Sequence, residues 1–303
     1  MGQNNISWLN GKFIPSEEAV VPIMTHSLQY GSGMFEGIRG YTTERGTAIF
    51  KLEAHVMRFF NTAKIYRMEL GFTQKEISSA IIELVKRNNL EDCYIRPFAF
   101  YDDSSVGVGT TGKKISVFIG AFPFKRYFSG GNEGLKCKVS SWARISSSEL
   151  PIQAKGSGNY LNSTMAMKDA HASGFDEAIF LSRDGYVMEG PGENIFLVKD
   201  GKLVTPGVDS SILLGITRYT VIELARDLNL EVEERFVHRE ELYTADELFF
   251  CGSAAEVTPI INVDGITVGD GHPGTITKKV KDLYFSTVGG KSKKHEDWLT
   301  FVN

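Results

Sequence analysis

Apolar and polar positions follow two rhythms along this chain. The run Ile6-Ser-Trp-Leu-Asn-Gly-Lys-Phe-Ile14 predicts two short strands around Asn10-Gly11, a dipeptide that readily takes the positive φ angles of a tight hairpin. From Glu53 to Leu70, Val56, Phe60, Ala63, Tyr66 and Leu70 recur at helical spacing, and from Lys75 to Asn89, Ile77, Ile81, Leu84 and Val85 do the same. Both stretches predict amphipathic helices, the second preceded by Thr73 and Glu76 at capping-box spacing. Cys93–Tyr101 and Ile115–Phe122 are apolar runs of strand length. Further strands are expected over Leu135–Trp142, Glu177–Arg183, Asn194–Val198 and Glu247–Cys251. They alternate with helical patterns over Tyr160–Ser173, Ile216–Leu228 and Ile276–Ser286, and Asp184-Gly185 and Asp200-Gly201 mark turns between strands.

Between Pro123 and Gly134 the composition changes to Lys125, Arg126, Ser129, Gly130, Gly131 and Asn132, a polar stretch suited to a linker. The expected organisation is a small N-terminal α/β domain over 1–124, an interdomain linker over 125–134 and a larger C-terminal domain over 135–303. A length of 303 residues suits two such domains, and the fold class is α/β (α+β).

Composition narrows the function. Hydrophobic residues at 42% and charged residues at 23% exclude wholesale disorder, and a net charge of -4 gives no basic footprint for nucleic acid or anionic lipid. Lys291, Lys293 and Lys294 are closely followed by Glu296 and Asp297, so that stretch is expected to be a solvated tail. Cys93, Cys137 and Cys251 are odd in number and far apart, which points to a reducing, cytoplasmic setting and to no thiolate metal site. The first residues lack a basic and apolar leader, and the longest apolar stretch, Ile115 to Phe124, is about half of the ~20 residues a membrane span needs.

Several tempting motifs carry little. Gly107-Val-Gly-Thr-Thr-Gly112-Lys113 nearly matches a phosphate-binding loop, but Lys114 stands where Ser or Thr must hold Mg²⁺, and a strand pattern follows where a helix is required. The histidines are scattered without metal-motif spacing, and no Gly-x-Ser-x-Gly elbow accompanies any serine. The sequon at Asn162 lies within a helical pattern.

Three segments carry more. Ala154-Lys155-Gly156-Ser157-Gly158-Asn159-Tyr160 places one lysine among small residues just before a helix, with room for a planar ligand beside a nucleophilic amine; a solvent lysine in a glycine turn is the plain alternative. Met188-Glu-Gly-Pro-Gly-Glu-Asn-Ile195 puts Glu189 and Glu193 in a corner between apolar strands, where buried carboxylates need partners; a hydrogen-bonded turn with exposed acids is the plain alternative. Leu214-Gly-Ile-Thr-Arg218 opens an amphipathic helix whose first amides can hold a phosphate, although any helix start offers such amides.

With AKGSGNY, EGPGEN, LLGITR and GSAAEVTP in this order, the chain resembles the fold-type IV pyridoxal-phosphate enzymes, and among them the branched-chain amino acid aminotransferases. FEGIRGY (Phe35 to Tyr41), HVMRFFNTAKIYR (His55 to Arg67), YIRP (Tyr94 to Pro97), FPFKRY (Phe122 to Tyr127) and SSW (Ser140 to Trp142) extend the resemblance over nearly the whole chain. The resemblance implies a two-domain α/β fold with pyridoxal 5′-phosphate between the domains. It makes Lys155 the catalytic residue, bonded to the cofactor and carrying the proton at the substrate Cα. It sets Glu189 against the pyridine nitrogen and Tyr160 at the phenolic oxygen, and Arg58, Ile216, Thr217 and Ser253 at the phosphate, with Leu213 also in the cofactor shell. Ser253 replaces a threonine common in similar enzymes and keeps the hydroxyl.

The same resemblance surrounds the substrate with Phe35, Gly37, Tyr94, Phe124, Tyr127, Val106 and Val108, gives Arg96 to the glutamate γ-carboxylate, and gives the turn at Ala254 and Ala255 to the α-carboxylate. Tyr30 and the Val106 to Val108 loop come from the neighbouring subunit in similar enzymes, so at least a homodimer is implied. Amino acids and 2-oxo acids are the expected small-molecule partners. D-Amino-acid aminotransferases, (R)-amine transaminases and aminodeoxychorismate lyases share the lysine, glutamate and phosphate cradle and are the alternatives. Tyr94-Ile-Arg96 and Phe35-Glu-Gly-Ile-Arg39 favour the branched-chain reading.

Overall fold

The hairpin at the start of the chain forms where the pattern places it: β1 (Ile6–Leu9) pairs with β2 (Lys12–Pro15), with Asn10 and Gly11 both at positive φ. The computed structural model describes residues 5–125, 127–128 and 133–302. The chain divides into two compact units, one made of Met1–Lys125, Ala154–Gly158 and Thr287–Asn303, the other of Arg126–Gln153 and Asn159–Ser286. Ala154–Gly158 and Thr287–Asn303, which the linear division expected from sequence includes in 135–303, group with the first unit. Arg126 and residues 129–132, the heart of the expected linker, lie outside the described residues.

The first unit is built on a sheet in which β3 (Gly33–Phe35), β4 (Ile38–Thr43), β5 (Gly46–Phe50), β6 (Cys93–Tyr101) and β7 (Ile115–Pro123) join the initial hairpin. The long β6–β7 pair is antiparallel from Cys93↔Pro123 to Tyr101↔Ile115. Leu299–Phe301 adds a strand beside β5, so the C-terminal stretch expected to be a solvated tail is ordered instead. The lysines there are exposed, but Trp298 stacks on His295, lies under Lys51 and contacts Phe50, and Leu299 is buried. The charge run hid an apolar anchor.

α1 (His26–Tyr30) is short; α2 (Leu52–Ile65) and α3 (Gln74–Arg87) carry the amphipathic patterns. Ile77, Ile81, Leu84 and Val85 of α3 and Val56, Phe59 and Ala63 of α2 are buried in one apolar cluster with strand residues Ile38, Ile49, Ile95 and Val117. The capping box at Thr73 and Glu76 is present in both directions. α2 stops about a turn before Leu70, because Arg67 takes a positive φ and the Met68 amide bonds back to the Ala63 carbonyl, a C-terminal motif that closes the helix while Met68 and Leu70 still pack inward.

The second unit has a mixed sheet of β8 (Leu135–Val139), β9 (Glu177–Ile179), β10 (Asn194–Lys199), β11 (Lys202–Pro206), β12 (Val232–Arg235), β13 (Glu247–Gly252), β14 (Glu256–Val263) and β15 (Ile266–Thr267). β8 and β9 run parallel, connected through α4 (Tyr160–Ala172) and also by the excursion that carries Lys155. α5 (Ile216–Asp227), α6 (Glu241–Thr244) and α7 (Thr275–Val288) complete the unit's helices, although the last two residues of α7 group with the first unit. The strand expected over Glu177–Arg183 ends at Ile179, and its continuation survives only as a single bridge from Leu181 to Val187.

Glu177 opens β9 opposite Cys137 and is fully buried. One carboxyl oxygen accepts the Ala178 amide at 2.9 Å and the other has no hydrogen-bond partner. Burial, reinforced by the Glu193 carboxylate, pushes its pKa up to about 9 from an ordinary 4.5, against a smaller lowering by the Ala178 amide. The folded protein thus holds a proton that the unfolded chain releases, so this group's contribution to stability falls as pH rises between 4.5 and about 9. Glu177→Gln keeps the amide contact without that proton. Its melting temperature is expected to exceed that of the unmodified protein by several degrees at pH 8.5, with the gap closing near pH 5. A gap independent of pH would refute the assignment.

Candidate active site

The main chain of Lys155 is held on both sides. The Phe35 amide donates to the Lys155 carbonyl at 3.0 Å, the Lys155 amide donates to Thr62 Oγ1 at 3.2 Å, and Gly156 bridges Met34 as an added strand residue beside β3. A side chain at 156 would collide with the Tyr66 hydroxyl, which explains the glycine after the lysine. The lysine is half-buried, with Nζ 5.2 Å from the Phe35 ring centroid.

Around it the first unit assembles two groups. In the first, Glu36 is fully buried and accepts from Arg58 Nε at 2.6 Å, Arg58 Nη2 at 2.8 Å and His55 Nδ1 at 2.8 Å. Burial alone pushes the Glu36 carboxyl up, but Arg58 and His55 outweigh it and hold the group well below the usual carboxylate range. His55 is lowered from 6.5, chiefly by burial against the opposing pull of Glu36. Glu36 and His55 lie inside the blocks that carry the family resemblance, with no role expected of either. The spacing of His55 and Arg58 on one helix face was the available signal.

In the second group, Arg96 lies 4.4 Å from the Phe35 ring centroid and donates to the Tyr94 hydroxyl at 3.2 Å, while its buried Nε has no hydrogen-bond partner. Tyr94 packs against Phe122 and Phe124, and Gly37 leaves room for its hydroxyl. An apolar wall with one guanidinium set into it results.

Tyr30 and the loop carrying Val106 and Val108 meet at Gly107. The Gly107 amide donates to the Tyr30 hydroxyl at 3.0 Å, His26 Nε2 pairs with the Gly107 carbonyl at 3.0 Å, and the His26 and Tyr30 rings lie 4.6 Å apart. Val106 and Val108 are 77% and 79% exposed. The glycine-rich motif at Gly107 to Lys113 is this loop, closed by Lys113 on Asp103 and Ser105.

The second unit holds the acid. Glu189 accepts from Arg144 Nε at 2.8 Å through one oxygen, and from the Leu213 amide at 3.1 Å and Asn194 Nδ2 at 3.3 Å through the other. Asn194 also donates to the Leu213 carbonyl at 2.9 Å and fills the space above Gly215, where a Cβ would strike its Oδ1. The glutamate corner is thereby joined to the N-terminus of α5. That end has no side-chain cap, so the Ile216 and Thr217 amides face outward from an extended Gly215.

Asn194 pairs with Cys251 in the sheet, and the turn after β13 presents Ser253, Ala254 and Ala255. Glu193, expected to need a partner, accepts the Gly192 amide at 3.0 Å. Tyr160 starts α4, which Ser163 Oγ pins to the Pro191 carbonyl at 2.6 Å. Tyr127 is 45% exposed and packs on Phe128.

Each unit holds donors of the kind pyridoxal 5′-phosphate needs: the first an amine and an arginine, the second a carboxylate suited to a ring N–H and an uncapped helix end suited to a phosphate. Among the described residues no three His, Cys, Asp or Glu side chains are grouped to hold a metal ion.

Residues 33–263 match the family described as amino-transferase class IV. The chain is 41% identical over 302 residues to the branched-chain-amino-acid aminotransferase of Pseudomonas aeruginosa, covering 99% of this chain and 98% of that one. It is 42% identical over 299 residues to the Escherichia coli enzyme of the same name, covering 98% and 97%. Among solved structures, the branched-chain aminotransferase of Thermoproteus uzoniensis with norvaline superposes with a TM-score of 0.94 at 44% identity over 99% of both chains. The branched-chain amino acid aminotransferase of Thermobaculum terrenum in its PLP form gives 0.94 at 40% over the full length of both. The expected α/β fold of the fold-type IV enzymes is borne out by these superpositions. With fold and sequence agreeing over nearly the full length, the chain belongs to the branched-chain-amino-acid aminotransferases of the class IV aminotransferase family.

Proposed function

We propose that this protein transfers the amino group of L-leucine, L-isoleucine or L-valine to 2-oxoglutarate, using pyridoxal 5′-phosphate and giving branched-chain 2-oxo acids and L-glutamate. The observation that carries this reading is Arg96, a guanidinium with a buried, unpartnered Nε inside an aromatic wall. An aliphatic side chain gains by burial against Phe35, Tyr94 and Phe124, while the glutamate γ-carboxylate gains a charge-assisted hydrogen bond to Arg96. One pocket serves two unlike substrates.

When bound, pyridoxal 5′-phosphate supplies an electron sink that stabilises negative charge at the substrate Cα. Lys155 binds the cofactor through Nζ and moves the proton to and from the substrate Cα. Glu189 accepts the hydrogen bond of the ring nitrogen, and Tyr160 donates to the phenolic oxygen. Arg58, the Ile216 and Thr217 amides and the Ser253 hydroxyl hold the phosphate, with Leu213 anchoring Glu189 beside them. Glu36 and His55 fix the orientation of Arg58. Ala254 and Ala255 bind the α-carboxylate through the turn after β13, Gly37 makes space at the Tyr94 hydroxyl, and Tyr127 borders the side-chain pocket.

The working form in this reading is a homodimer in which Tyr30, Val106 and Val108 of one copy line the other copy's pocket. Support comes from the exposure of Val106 and Val108, and of Val20, Ile23 and Leu28 in the segment that includes α1. The compartment we assign is the cytosol, in keeping with three free, buried cysteines. No helix among the described residues is long and apolar enough to cross a membrane.

The purified protein is expected to be yellow and to lose its visible band in Lys155→Ala; a colourless protein that does not take up the cofactor would end the reading. Half-reactions with L-leucine, D-alanine and (R)-1-phenylethylamine are expected to proceed with leucine, and turnover confined to either of the others would assign a different enzyme of this fold. In Arg96→Ala, the KM for 2-oxoglutarate should rise about 10- to 100-fold, the loss of one hydrogen bond to a charged group, with leucine changed less than about threefold. Equal losses would remove Arg96 from the γ-carboxylate. Light scattering should give at least twice the chain mass.

A further inference from the structure

Arg144 follows β8 and lies in no block that the family resemblance assigns a role. It is 7% exposed, its backbone amide is fixed to the Leu181 carbonyl at 2.9 Å, and its guanidinium stands 5.1 Å from the Phe180 ring centroid. Nε donates to Glu189 at 2.8 Å, and Nη1 donates to Asn162 Oδ1 and Ser163 Oγ, both at 3.3 Å. Those acceptors are themselves held: Asn162 donates to the Ala143 carbonyl at 3.0 Å and Ser163 to the Pro191 carbonyl at 2.6 Å. The cation is locked behind the acid by groups on α4 and on the Glu189 loop.

We propose that Arg144 is a positioning residue that keeps Glu189 ionised and in one orientation, and through it keeps the proton on the ring nitrogen of the bound cofactor. The inference rests on the cofactor assignment made above. A proton between a carboxylate and a pyridine nitrogen stays on the more basic partner. Two further donors to Glu189, the Leu213 amide and Asn194, are neutral, and loss of the guanidinium leaves the carboxylate more basic. The proton then moves toward Glu189, and the ring withdraws electrons less strongly from the substrate Cα.

The test uses holoenzyme loaded with pyridoxal 5′-phosphate labelled with ¹⁵N in the ring. In Arg144→Met the nitrogen resonance should move from the protonated toward the neutral pyridine position. Exchange of the leucine α-proton with solvent should slow about 10- to 100-fold, with the leucine KM within about threefold. Arg144→Gln, which keeps a donor without the charge, carries the same expectation if the Met variant does not fold, and Arg144→Lys should restore most of the wild-type resonance. An unchanged resonance and exchange rate in a folded Met or Gln variant overturns the proposal, as does a Lys variant that behaves like Met. If the unmodified protein takes up no cofactor, the functional reading fails instead.

Discussion

Charge buried away from water must be paired, and in this protein that requirement organises both units. Glu36 and Glu189 are each almost wholly buried, and each is met by an arginine and by further donors. Removing one partner from such a pair costs far more than the pair contributes, so each network commits several elements to one arrangement. Glu36 ties β3 and β4 to α2; Glu189 ties the turn before β10 to α4, to the segment after β8 and to the approach to α5. Burial pushes the Glu177 carboxyl the other way, up to about 9.

Lys155 is held by uncharged contacts of its main chain. Its backbone is fixed by amide and carbonyl bonds to Phe35 and Thr62 and by the Gly156 bridge. Glycine after it is obligatory because Tyr66 occupies the space of a side chain. The apolar wall nearby follows a related logic: Gly37 admits the Tyr94 hydroxyl, and Tyr94 in turn accepts from Arg96. Small residues create the volumes that large polar ones fill.

Much of this was legible locally. The Asn10-Gly11 hairpin, the capping box at Thr73, the limits of β6 and the helical face of α3 depend on residues a few positions apart, and they formed where the pattern put them. Less was legible where distant chain segments compete. The early end of α2 and the short β9 break strong apolar patterns, because Arg67 takes a left-handed turn in one case and the Leu181–Val187 bridge replaces regular pairing in the other. The ordered C-terminus was masked by its lysines, since the pairing of Leu299–Phe301 with β5 spans most of the chain.

From the sequence alone came the chemistry available: one lysine among glycines, an acid corner, a helix start suited to phosphate, and the order of blocks that marks the family. These are properties of short segments, fixed by residue type and spacing. Only the tertiary structure decided which charges meet. Glu36 with Arg58 and His55, Arg144 with Glu189, and Arg96 beneath Phe35 join residues from 19 to 61 positions apart, by direct separation 19, 22, 45 and 61. No local pattern encodes such pairings, because the partner of a buried charge is selected by packing around it rather than by its neighbours in the chain.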